Sequence, residues 1–184
     1  MKFKNALLGI GVLALTLGFN ACDVSNDDDF VCVEDYTGAL EENEKVMLGK
    51  WKLSAIVSEK EVDITTDNES NPKKDIYAQY SDCDKDADFT YESDRKYTNT
   101  QGQNIMDCTN KLKFSGTWKL EGNNLAFVGN CTAQNLKLEF NGDKSTYSFT
   151  SSYNIKDVQG ATITTNVTFT YKKVVEDTDL EPAN

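Results

Sequence analysis

The chain has no histidine among its 184 residues, so the commonest general base and metal ligand is missing. Arginine occurs once, as Arg95, and proline twice. There is no Gly-x-Ser-x-Gly elbow, phosphate-binding loop or Cys-x-x-Cys pair. Carboxylates are plentiful, but a catalytic pair needs a positioned geometry that spacing alone does not supply. No enzymatic activity, cofactor or metal is therefore expected. Positive charge is also scarce: 19 basic side chains stand against 30 acidic ones, a net charge of −11. That field opposes binding to nucleic acid or to anionic lipid. Long apolar runs are nearly absent. The one that exists, Ala6 to Leu17, is shorter than the roughly 20 residues a membrane span needs.

What is present begins with that run. Lys2 and Lys4 precede it as a positive n-region, and the run has the length of a signal-peptide core. It ends at Phe19-Asn20-Ala21-Cys22, which resembles the lipobox of bacterial lipoproteins. The resemblance implies cleavage before Cys22 and acylation of that cysteine. The Asp27-Asp28-Asp29 run that follows cannot be buried and reads as a solvated tether. It also resembles the acidic export tag of surface lipoproteins of the Bacteroidota, which implies an outer-membrane address, surface-exposed, with the periplasm-facing side left open as the alternative. The expected layout is a leader over 1–21, an acidic tether over 22–40, one domain over 41–175 and an acidic tail over 176–184.

Cysteine parity agrees with an acylated Cys22. Five cysteines leave one unpaired, and with Cys22 set aside Cys32, Cys83, Cys108 and Cys131 suffice for two disulfides. Three pairings are open. Cys83–Cys108 with Cys32–Cys131 is favoured because Cys83 and Cys108 flank the same pair of strands. Each bridge would stabilise by about 3 to 5 kcal/mol in the loop-entropy model.

Glu41 to Leu48 reads as a short helix, with acids at its start and Gly49 as its stop. Strands follow. Trp51, Leu53, Ala55 and Val57 share one face of the first, and Glu59 to Lys74 is a long polar connection. Ala87–Glu92 and Lys96–Gln101 flank a turn at Ser93-Asp94. Lys111 to Gly129 is the clearest hairpin: Leu112, Phe114, Gly116, Trp118 and Leu120 alternate with polar residues, and Leu125 and Phe127 resume the pattern after Glu121–Asn124. Leu136, Leu138 and Phe140 precede Asn141-Gly142, a strong hairpin signal. Tyr147, Phe149, Ser151 and Tyr153 share a face, as do Ala161, Ile163, Thr165, Val167, Phe169 and Tyr171. Eight strands with one apolar face each, joined by short turns, predict an all-β, eight-stranded antiparallel up-and-down barrel with a short N-terminal helix. An immunoglobulin-like sandwich would need longer crossing connections.

The order of Leu48-Gly49-Lys50-Trp51-Lys52-Leu53, Asp82-Cys83-Asp84-Lys85-Asp86 and Gly116-Thr117-Trp118-Lys119-Leu120 resembles the lipocalin-like lipoproteins of the Bacteroidota, over roughly Leu48 to Val174. The resemblance implies an eight-stranded barrel with a small helix at one end. In true lipocalins the first such tryptophan closes the floor against an arginine of the last strand. Here that strand offers Lys172 or Lys173.

Two readings of function stay open. In the first, the inward aromatics Trp51, Phe114, Trp118, Phe127, Tyr147, Phe149 and Phe169 line a cavity for one small hydrophobic molecule. Of these, Trp118, Phe127, Phe149 and Phe169 are the strongest candidates. In the second, the same rings fill the barrel as core, and loops such as Glu59–Lys74 contact a partner protein or glycan. The acids from Asp82 to Asp88 suggest calcium, but Ala87 and Ser93 stand where an EF-hand needs Gly and Glu, so they read as a solvated lead-in to a strand. The membrane is expected as a partner only through Cys22.

Overall fold

The computed structural model describes residues 31–67 and 69–175. The leader, Cys22, the Asp27–Asp29 run and the tail over 176–184 lie outside the described residues. Among the described residues ten strands form: β1 (Gly49–Val62), β2 (Lys73–Asp75), β3 (Ala87–Tyr91), β4 (Lys96–Gln101), β5 (Leu112–Glu121), β6 (Asn124–Gly129), β7 (Thr132–Lys137), β8 (Glu139–Phe140), β9 (Thr146–Lys156) and β10 (Thr162–Lys173). The order across the sheet is β7-β6-β5-β4-β3-β1-β10-β9-β8, with β2 paired to β1. Every pairing is antiparallel. The two ends of this sheet, β7 and β8, are separated in sequence by Leu138 alone, so the sheet curls into a nearly closed barrel.

The class is the expected one, and the strand count is ten instead of eight. Two features account for the difference. Lys73–Asp75 adds to β1 from within the expected connection. The strand expected over 135–140 starts at Thr132 and changes partner after Leu138, whose N–H still donates to Asn123 O in the β6–β7 register. Below that change Glu139 and Phe140 pair with Ser148 and Tyr147. Above it β7 pairs with β6. Among the described residues no strand pairs the upper half of β9 on that side, which leaves a lateral gap between β7 and β9.

A bulge sets the inside of β1. The register against β10 shifts between Leu53 and Ala55. Trp51 and Leu53 point inward as expected, but Ile56 and Ser58 replace Ala55 and Val57 as the buried pair, and Val57 is 45% exposed. The turns differ in kind. Gly122, with φ +58, opens the two-residue turn between β5 and β6. The Asn141-Gly142 signal instead yields a five-residue loop. There the Asn141 side chain accepts from Thr146 N–H at 2.9 Å and Lys144 carries the positive φ.

One end of the barrel, the floor, gathers the start of β1, the β3–β4 and β5–β6 turns, the β8–β9 loop and the end of β10. A 3-10 helix, Glu42–Met47, sits there, and Glu41 and Glu44 make a reciprocal capping box. The expected helix is thus present, and Gly49 ends it with φ +101. The other end gathers the connection from β1 to β3, the β4–β5 loop, the Asn130–Cys131 turn and the β9–β10 turn. The acidic lead-in is not extended: Asp82–Lys85 forms one α-helical turn, α1, capped by Ser81. Among the described residues no helix is long and apolar enough to cross a membrane.

Both disulfides follow the favoured pairing, Cys32–Cys131 at 2.04 Å and Cys83–Cys108 at 2.01 Å. The second ties α1 to the β4–β5 loop. The first fixes a strap. Residues 32–40, the last part of the expected acidic tether, run down the outside of β5 to the floor. Val33 N–H donates to Cys131 O, Tyr36 N–H to Thr117 Oγ1 at 2.9 Å, and Gly38 and Ala39 carbonyls accept from Arg95.

Candidate functional site

The floor half of the interior is packed ring against ring. Trp51 and Trp118 are fully buried, and each indole N–H donates to a floor carbonyl: Trp51 to Met47 at 2.7 Å, Trp118 to Glu92 at 3.3 Å. Trp51 lies 4.9 Å from Tyr147, Tyr147 5.3 Å from Tyr171, and Tyr171 5.4 Å from Phe89. Phe89 reaches Phe127 at 5.7 Å, Phe127 reaches Tyr97 at 4.8 Å, and Tyr91 reaches Trp118 at 5.4 Å. These separations are those of contacting aromatic pairs, each contributing about 0.5–1.5 kcal/mol beyond area burial. The chain of rings joins β1, β3, β4, β5, β6, β9 and β10. Tyr91 and Tyr147 share a hydroxyl contact of 3.2 Å across the barrel, and burial pushes both phenols well above their ordinary pKa.

The floor cation over the first tryptophan is Lys173. Its ammonium lies 5.3 Å from the Trp51 ring and donates to Val46 O at 2.8 Å. Burial lowers its pKa. Arg95 serves elsewhere in the floor. It holds Glu44 through two bonds of 2.8 Å, and both residues are buried. Burial raises the Glu44 carboxyl, but hydrogen bonds from Arg95 and from the Glu41 and Leu120 N–H groups outweigh it, so its pKa is lowered.

The candidate ligand residues therefore separate. Trp51, Trp118 and Tyr147 are wedged in the floor, with Phe127 beside them. Phe149 and Phe169 stack at 5.3 Å in the upper half, and Tyr153 lies 5.6 Å from Phe169. Phe114 does not face a closed interior: it is 50% exposed. β5 starts beyond the barrel rim, paired to β4 from Leu112 but to β6 only from Thr117. In the upper half the Tyr153 hydroxyl is buried and has no hydrogen-bond partner among the described residues. Tyr80 packs against the same core, and burial, then Asp84, pushes its phenol up to about 12.

Two concavities lie outside the barrel, on either side of the strap. The larger, about 430 Å³, is lined by Tyr36, Thr37, Glu41, Asn43, Lys119 and Glu121 over the Glu44–Arg95 pair. The smaller, about 240 Å³, lies between Asp35, Lys96, Thr98, Ser115 and Thr117. Carboxylates, an amide, hydroxyls and ammonium groups converge on them, and Tyr36 supplies a ring. Nothing in the sequence marked these positions, because residues 35–43 read as tether and helix.

Asp63, Asp86 and Asp88, acids of the expected connections, are already engaged. Asp86 accepts from Asn104 N–H at 2.7 Å and from Asn104 Nδ2 at 2.9 Å. Asp88 accepts from Thr100 at 2.8 Å and pairs with Lys50 at 2.8 Å. Asp63 binds Thr65 and the Asn71 N–H.

The profile of a domain of unknown function, DUF5004, matches residues 25–173. The chain belongs to that family. No curated protein matches it. The matched span covers every strand and both disulfides, so the strap, the floor and the barrel all lie within the DUF5004 region.

Proposed function

We propose that this DUF5004 domain is a non-catalytic binding module, held to the cell envelope by a lipid on Cys22. Its barrel is a packed scaffold, and its partner is polar and occupies the clefts beside the strap. The observation that carries this reading is the continuous ring packing across the floor half, which takes the volume a ligand of the barrel would need. The clefts suit a glycan: carboxylates, Asn43 and Lys119 offer hydrogen bonds to hydroxyls, and Tyr36 offers a stacking face. The test is a glycan array probed with the oxidised chain, wild type beside Tyr36→Ala and Lys119→Ala. Both variants should weaken binding about tenfold or more while keeping the urea midpoint. Binding that survives both changes would refute the placement.

A second reading has its own support. The unpartnered Tyr153 hydroxyl and the β7–β9 gap suit a small, mostly apolar molecule with one hydrogen-bonding group, seated against Phe149 and Phe169. Loss of a bound molecule in Phe149→Ala, with Lys119→Ala unaffected, would favour it. The anchor is tested separately: Cys22→Ser should move the protein from the membrane to the soluble fraction.

A further inference from the structure

The end of the barrel opposite the floor carries exposed apolar side chains on three separate connections. Met106 is 91% exposed and Ile105 39% in the β4–β5 loop, and Phe114 is 50% exposed where that loop enters β5. Val158, in the β9–β10 turn, is 44% exposed, and Val33, at the start of the strap, is 45% exposed. Exposed apolar groups gathered at one end mark a contact surface. This is also the end at which the preceding chain arrives. The Cys32–Cys131 bridge and the Val33 N–H bond to Cys131 O pin the strap to the β6–β7 turn there. Cys22 lies ten residues before that point, a reach of about 35 Å at full extension.

We propose that this end docks on the bilayer that holds the Cys22 anchor, with Ile105, Met106 and Phe114 inserted among the headgroups. The proposal rests on the anchor reading. A tether leaving from the loop end places those side chains next to the membrane at high effective concentration. Lys111 and Lys113 flank the patch and Asp107 lies within it. Without Lys2 and Lys4 of the leader the anchored chain has 17 basic against 30 acidic side chains, a net charge of −13, which makes a zwitterionic surface the fitting one. The floor end also exposes Val174 and Val175, but these run directly into Glu176 and Asp177 in the sequence. In this arrangement the strap-side clefts, which lie toward the floor, face away from the lipid.

The test uses Cys22–Asn184 with both disulfides formed, coupled through its remaining thiol to a maleimide phospholipid in phosphatidylcholine vesicles. The coupling supplies the anchor whether or not the cell does. Trp51 and Trp118 are fully buried and give a constant background. Met106→Trp adds a reporter at the loop end and Val175→Trp one at the floor end, both at exposed positions. With brominated phosphatidylcholine, the added emission of Met106→Trp should fall about twofold or more, and that of Val175→Trp should not change. An unquenched Met106→Trp, or equal quenching at both positions, would overturn the proposal. Failure of the anchor reading appears elsewhere, as membrane retention of Cys22→Ser in cells, and leaves the vesicle result standing.

Discussion

At the residue scale the floor depends on one ion pair. Glu44 and Arg95 are buried, doubly bonded to each other, and further bonded to strap and strand backbone. Truncating one partner leaves the other charge buried and unmatched. Arg95→Ala should therefore lose about 3–5 kcal/mol in urea unfolding at neutral pH. The linkage sign follows from the lowered Glu44 pKa. Its contribution is complete above the ordinary value of 4.5 and disappears as pH falls through the folded value. The stability gap between wild type and Glu44→Gln should shrink as pH falls below 4.5, and a gap constant with pH would contradict the assignment. Gly116 makes a second residue-scale case. A Cβ there would stand 2.0 Å from Val128 O and 2.9 Å from the Tyr97 ring, whereas Gly142 faces open space. Gly116→Ala should destabilise by about 1–3 kcal/mol or more, and Gly142→Ala should be close to neutral. The sequence showed Gly49 and Gly116 as a matched pair before tryptophans. Structure separates them: Gly49 serves a positive φ and Gly116 a close backbone approach.

At the element scale the strap is the feature with most consequence. Breaking the Cys32–Cys131 bridge as Cys32→Ser/Cys131→Ser should cost about 2–5 kcal/mol, since the bridge spans 99 residues. Amide exchange at Tyr36 should become fast, as its bond to Thr117 is then held by few other contacts. Slow exchange at Tyr36 in that variant would mean the strap is fixed by other forces. Sequence reasoning located the alternating strands β5, β6, β9 and β10 because each has one wet face and one dry face. It placed Ala55 and Val57 of β1 on the wrong face, because a bulge adds no signature to a run such as Ser54-Ala55-Ile56. It also took Phe114 as inward, since parity along a strand carries no information about where the barrel rim lies. The strap was invisible for a related reason. Its contacts are hydrogen bonds, most of them through its own backbone, to residues 56 to 82 positions away, and polar composition alone reads as tether.

For the whole molecule, ring packing and topology agree. β1 and β10 close the barrel, and the seam falls at β7–β8, where one extended run serves both ends of the sheet. The fold class was legible in the sequence because period-two patterning is a local fact; cysteine parity gave two bridges but left three pairings open, and Lys172 and Lys173 stood equal until the fold set Lys173 over Trp51. The clefts were not legible, because they form only where the strap crosses β5. The scaffold account is tested most directly by native mass spectrometry of the chain, purified gently from the cell envelope, set against a denaturing spectrum of the same sample. It predicts equal masses, each light by four hydrogens for the two disulfides. An apolar molecule present only in the native spectrum, and lost in Phe149→Ala, would contradict it and place the site inside the barrel.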